Sequence, residues 1–171
     1  MSFSASVLLV LAGTGIAVGA SVLQHADPDT CFGTSRRPPL TAPIRLIYAC
    51  RRDDVLMAAD IAKWCAAETG RARLQRCLVA VSAPSTGQDV AAAPFATSSA
   101  SHGLPELAML PNVDVVDGRL TQELLRSEVA PLQALGPCRV VVSGPASFNG
   151  AVREMLVTGG VASDAITILA A

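Results

Sequence analysis

Three short stretches carry residue types that can do chemistry, and each begins where an apolar run stops. The first is Gly13-Thr14-Gly15-Ile16-Ala17-Val18-Gly19, directly after SVLLVLA at residues 6–12. Glycines at such a bend let the chain turn tightly and let a phosphate approach backbone N–H groups. The dipole of a helix starting there favours an anion. The spacing is G-x-G-x-x-x-G rather than the stricter G-x-G-x-x-G, so taken alone it also reads as a tight turn without a ligand. The second stretch is Ser143-Gly144-Pro145, after RVVV at residues 139–142. In doubly wound sheets ligands lie at the carboxyl ends of the strands, so two glycine turns at such ends can line one crevice. Standing alone, S-G-P is an ordinary turn. The third is Arg51-Arg52, followed by Asp53 and Asp54, after IRLIYAC at residues 44–50. A planar guanidinium can grip a ribose 2′-phosphate bidentately, and a carboxylate can instead accept from a ribose hydroxyl. The competing reading is a solvated charge cluster plus a helix cap.

Other chemistries lack their residues. The sequence contains no G-x-x-x-x-G-K-[ST] and no G-x-S-x-G, which argues against phosphoryl transfer on a P-loop and against a hydrolase elbow. Its cysteines, Cys31, Cys50, Cys65, Cys77 and Cys138, form no C-x-x-C pair, and His25 and His102 stand far apart, so no zinc spacing occurs. These thiols read as reduced and mostly buried, as in a cytoplasmic protein. A formal net charge of −1 with no long charged block argues against nucleic acid or anionic lipid as the main partner.

The elements that must position these stretches follow from hydrophobic patterning. With hydrophobic residues at 51% and aromatic residues at only 4%, the core must be aliphatic. Residues 6–12 read as a buried parallel strand and 15–26 as a helix. The apolar stretch 7–23 is also the one place where a signal sequence or membrane span needs weighing. The absence of Lys or Arg before Arg36 and the glycines at 13, 15 and 19 count against both. Proline-rich residues 27–43 read as a surface loop. Further strands are expected over 44–50, 74–81, 112–116, 139–142 and 165–169. A helix capped by Asp53 or Asp54 should run to about Thr69, with Met57, Ile61, Trp64 and Cys65 on its apolar face. A second, capped by Thr121, should run to about Val129, and a third, capped by Ser147, should stop at Gly159-Gly160. Residues 82–111, rich in Ala, Ser, Pro and Gly, read as a long loop. Strands alternating with amphipathic helices predict an α/β fold: a single domain over 1–171 with three α/β/α layers, Rossmann-like, around a mostly parallel sheet of about five strands.

In this order, AGTGIA, LIYACRRDDVLMAADI, DGRLTQELLRSEV and VVVSGPASFNGAVREML, the segments resemble the NAD(P)-binding half of the ferredoxin–NADP reductase superfamily, and most closely its cytochrome b5 reductase branch. The resemblance spans most of the chain, interrupted by the loops at 27–43 and 82–111. It implies that Gly13, Thr14, Gly15 and Ile16 meet the backbone of NADH or NADPH. Cys50, Arg51 and Arg52 would flank the adenosine. Ser143, Gly144 and Pro145 match the family's C-G-P motif beside the nicotinamide, with Ser143 as the residue nearest the chemistry, and Phe148 matches a bulky residue packed near the nucleotide. Three departures stand out: Val18 replaces the usual proline, Ser143 replaces the family cysteine, and the chain ends Ile168-Leu169-Ala170-Ala171 with no aromatic.

The family's flavin-binding barrel carries R-x-Y-[ST], which is not matched here, and Tyr48 is the only tyrosine. The expectation is therefore a module that binds NAD(P)H and presents hydride to FAD held by a separate domain or chain, which passes electrons to a haem protein or another acceptor. The alternatives are a nucleotide sensor without catalysis and a structural or interaction domain that has lost the nucleotide.

Overall fold

The computed structural model describes residues 6–26, 42–66, 74–83 and 104–170. Strand β1 (Ser6–Ala12) leads through a 3₁₀ turn (Gly13–Gly15) into helix α1 (Ile16–Ala26). Then come β2 (Ile44–Arg51), α2 (Ala58–Ala66), β3 (Leu74–Ser82) and the short α3 (Leu104–Ala108). The chain continues through β4 (Val113–Asp117), α4 (Gln122–Ala134), β5 (Cys138–Gly144), α5 (Ala146–Thr158) and β6 (Ile166–Ala170). The strands make one six-stranded sheet in the order β4-β3-β2-β1-β5-β6, and every pairing is parallel. The sheet thus has six strands where about five were expected.

Strand periodicity sorts the core into two halves. Leu9 and Leu11 of β1 point to one face with Ile16, Leu23, Ile61, Cys65 and Leu107. Leu8 and Val10 point to the other with Leu125, Val129, Leu132, Val152 and Leu156. Alternate side chains on a strand must take opposite faces, and a strand apolar at every position is buried on both. Helices α1, α2 and α3 therefore cover one face and α4 and α5 the other, giving the three expected layers. The change of face is tied to strand order. After β4 the chain returns across the sheet to lay β5 beside β1, which makes the β1/β5 boundary the topological switch point. The apolar stretch considered as a membrane span is divided between β1 and α1, and among the described residues no helix is long and apolar enough to cross a membrane.

Several boundaries differ from expectation for local reasons. Helix α2 starts at Ala58 rather than after Asp53 or Asp54. The chain first makes a turn in which the Asp54 N–H donates to the Arg51 carbonyl at 3.1 Å, and Met57 takes a left-handed φ of 56°. Its expected last turn, 67–69, lies outside the described residues. Helix α4 runs past Val129 to Ala134, through Pro131, with Leu132 fully buried beneath it. Its start is as expected, with Thr121 Oγ1 accepting from the Leu124 N–H at 3.2 Å. Part of the expected loop 82–111 is instead α3, whose Leu104 and Leu107 are buried. Cys50, Cys65 and Cys77 are buried free thiols and Cys138 is half-buried; Cys31 lies outside the described residues. The Cys77 thiol is pushed well above the ordinary thiol range by its hydrogen bond to Cys65 and by burial.

At the rim where β2 and β3 begin, α4 is tied to the sheet by charge. Glu128, 2% exposed, accepts from Arg45 at 3.0 Å and lies 3.4 Å from Arg76, which also donates to Asp114 at 2.9 Å. Removing one member of a buried pair leaves the other desolvated and unpaired. We predict that Glu128→Ala lowers stability by about 3 kcal/mol, read as a lower urea midpoint at unchanged denaturant slope. An unmoved midpoint would mean that the pair does not hold the helix down.

Candidate functional site

The two glycine bends meet. In the β1/β5 register Leu11 pairs with Ser143, so the chain leaves both strands at the same level of the same rim. Gly13 has φ +53°, a conformation that side-chain-bearing residues rarely adopt, and it has open space around it. Gly15 is needed for a different reason. A Cβ there would lie 2.2 Å from the carbonyl oxygen of Ser143 and 2.6 Å from its carbonyl carbon, so the two bends are in backbone contact. On the second bend, a Cβ at Gly144 would lie 2.8 Å from Phe148 Cδ1 and 3.0 Å from the Ala12 Cβ.

In front of this contact lies a cleft of about 530 Å³, within the usual size of small-molecule sites. Its floor is the carboxyl ends of β1, β2 and β3, through Ala12, Ala49, Cys50, Ala80 and Ser82. One wall is α5 and its approach, with Pro145, Ser147, Phe148 and Met155. The far wall is the bend after β4, Gly118-Arg119-Leu120. Hydrogen bonds at the rim lock the ends together. The Gly118 N–H donates to the Val81 carbonyl at 2.8 Å and the Arg52 N–H to the Ser82 carbonyl at 3.1 Å. Ser82 Oγ donates to the Cys50 carbonyl at 3.2 Å. Beneath α5, Asn149 Nδ2 donates to the Gly144 carbonyl at 2.9 Å and to the Leu169 carbonyl at 3.3 Å, joining the end of β5 to β6.

The expected site residues are distributed unevenly around this cleft. Gly13, Cys50, Arg51, Pro145 and Phe148 line it. Gly15 and Gly144 are buried in the bends behind it, and Thr14 is exposed on the first bend. Ile16 is 1% exposed and packs into the core under α1. Ser143 is fully buried, and among the described residues its Oγ has no hydrogen-bond partner. Arg52 is not on the lining; its guanidinium pairs with Asp117. Ser147, expected to cap α5, lines the cleft instead, because Pro145 takes the cap position and the helix begins at Ala146.

Sequence reasoning missed Arg119, Gly118 and Ser82 as lining residues. The signal for Arg119 was present: it is a cation just past a strand end, as Arg51 is. Among the described residues the charged groups on the lining are Arg51, Arg119 and Asp54. Burial, and then the neighbouring Asp54, push the Cys50 thiol up to about 11. At neutral pH it is therefore a protonated, nearly apolar part of the floor. The arrangement suits an elongated anionic ligand, with close backbone approach at one end and cations at the other.

No family model and no curated protein matches the sequence. Among solved structures, the chain is similar to one described as the ferredoxin reductase in carbazole 1,9a-dioxygenase. The TM-score is 0.50 at 17% identity, over 98% of this chain and 38% of that one. At that identity the likeness is one of fold: the six-stranded parallel α/β sheet resembles a domain of a ferredoxin reductase. The chain spans well under half the length of that reductase.

The contact between the bends yields a direct prediction. Gly15→Ala forces the Ser143 carbonyl to move and is expected to cost about 3 kcal/mol through overpacking. Gly150→Ala, inside α5 at a position with nothing within 4 Å of the added carbon, is the control and should raise stability by about 0.5–1 kcal/mol. Thermal or urea unfolding of both variants checks this. Equal stabilities would show that the bends do not press on each other.

Proposed function

We propose that this chain is the NAD(P)H-binding module of a flavin-dependent oxidoreductase, similar to the cytochrome b5 reductase branch. The observation that carries this reading is the shared cleft: two glycine bends in contact at the β1/β5 switch point, opening onto about 530 Å³ of space at the carboxyl ends of the strands. The fold likeness to a ferredoxin reductase supports it.

On this reading each residue has a positioning task. Gly13 keeps the backbone of the first bend free of a side chain where a dinucleotide phosphate would approach. Phe148 and Pro145 form the apolar wall beside the bend, and Gly144 lets Phe148 pack close to it. Arg51 supplies positive charge at the adenosine end. The bound nicotinamide would supply the hydride, taken up by FAD on a separate domain or chain that then serves a haem protein or another acceptor. Orientation and exclusion of water are the protein's part, and no side chain here need act as a base.

One observation favours a second reading, a nucleotide sensor without catalysis. Ser143 is fully buried and absent from the cleft lining, although the resemblance places it nearest the nicotinamide.

Calorimetric titration with NADH, NADPH and ADP tests the proposal. Saturable binding of at least one reduced dinucleotide, in the micromolar to millimolar range, is expected. If none of the three binds at millimolar concentration, the chain is a structural or interaction domain. Binding without hydride transfer, after a flavin domain of the family is supplied, would favour the sensor.

A further inference from the structure

We propose that Asn149 is a positioning residue for the dinucleotide: its side-chain amide holds the Gly144–Pro145 turn in the orientation against which the nicotinamide half of the ligand packs. The inference rests on the nucleotide-binding reading above and adds a residue behind the cleft that is on neither the motifs nor the lining. Asn149 lies in the first turn of α5, is 7% exposed, and does not reach the cleft surface. Asparagine is a poor helix former because its amide competes for backbone groups. Burial adds the cost of desolvating that amide. Leucine would cost less on both counts, so the position is explained by what the amide donates to.

It donates to the second bend. Nδ2 donates to the Gly144 carbonyl at 2.9 Å, and the backbone N–H of the same residue donates to the Pro145 carbonyl at 2.9 Å. One residue therefore holds both carbonyls that flank the proline ring. Proline has no N–H, so the Gly144–Pro145 peptide has a single hydrogen-bonding group, the carbonyl that Nδ2 takes. Glycine offers little torsional resistance of its own. The surroundings are tight: a Cβ at Gly144 would lie 2.8 Å from Phe148 Cδ1 and 3.0 Å from the Ala12 Cβ. Ala12, Pro145 and Phe148 all line the cleft, so a rotated Gly144–Pro145 peptide would displace the wall itself. The other Nδ2 hydrogen goes to the Leu169 carbonyl at 3.3 Å. Both donors of the amide are thus used, and the turn is braced against β6. Arg51 and Arg119 belong to other strand ends, those of β2 and β4, and take no part in this brace. Loss of the amide should disturb one end of the ligand and spare the other.

The test compares Asn149→Asp with the unmutated 171-residue chain by calorimetric titration with NADH, NADPH and ADP. The substitution keeps the shape of the side chain and replaces two donors by a group that, ionised, only accepts. Affinity for whichever reduced dinucleotide binds the unmutated chain should fall about tenfold, the range for a carbonyl left without its donor. Affinity for ADP, which has no nicotinamide, should stay nearly as it was. Circular dichroism verifies that the variant is folded. A purely structural role would weaken every ligand together, so an equal loss for dinucleotide and ADP overturns the proposal, as does no loss at all. The unmutated chain supplies a second readout that needs no variant. In amide NMR the Nδ2 protons of Asn149 should shift on saturation with the dinucleotide and stay in place with ADP. Equal shifts with both, or none with either, overturn the positioning role while leaving nucleotide binding intact. If none of the three ligands binds the unmutated chain, the nucleotide reading falls and the positioning role falls with it.

Discussion

The backbone contact between Gly15 and the Ser143 carbonyl is the constraint on which the rest of the site depends. It exists because β5 returns to pair with β1, putting two strand ends with the same direction and register side by side. With any larger residue at 15 the bends would have to separate, and the cleft in front of them would lose its shape. The glycine at 13 serves the turn itself, through its left-handed φ. Two glycines two residues apart thus answer two different physical demands, one torsional and one steric.

The division of labour across the sheet follows from this arrangement. At the rim where the strands begin, Arg45, Arg76, Asp114 and Glu128 pair with one another and fasten α4 to the sheet. At the rim where the strands end, polar groups are held by backbone hydrogen bonds, and the lining carries two arginines against one aspartate. Ion pairs thus serve stability at one rim, and arginines line the cleft at the other.

Much of the architecture was legible because it follows from periodicity. Runs such as residues 7–12 and 140–142, apolar at every position, require a sheet covered on both faces, and their alternation with amphipathic segments requires parallel crossovers. What was not legible depended on contacts distant in sequence or on single torsions. The start of α2 is delayed to Ala58 by a turn closed on Arg51 and by Met57 at positive φ, which outweigh the capping preference of Asp53 and Asp54. The short α3 forms where Leu104 and Leu107 find the core, inside a stretch whose composition alone reads as loop. The site shows the same pattern. Gly13, Arg51 and Pro145 were found because each follows or ends a recognisable strand, and Cys50 and Phe148 because the family resemblance implies them. Arg52 was grouped with Arg51 by adjacency, yet successive side chains at a strand end diverge, and this one turns to Asp117. Arg119 also follows a recognisable strand, but placing it on the same cleft as Arg51 required knowing that β4 lies two strands from β2 in the sheet.

The central claim is that one cleft, between the glycine bends and the bend after β4, receives a dinucleotide. Amide NMR of the isotopically labelled chain titrated with NADPH tests it residue by residue. The account predicts saturable shifts at Gly13, Cys50, Gly118, Arg119 and Phe148, with the amides of Ile61 and Leu107, on the opposite face of the sheet, unmoved. Saturable shifts centred on that opposite face, or none at millimolar ligand, would contradict it.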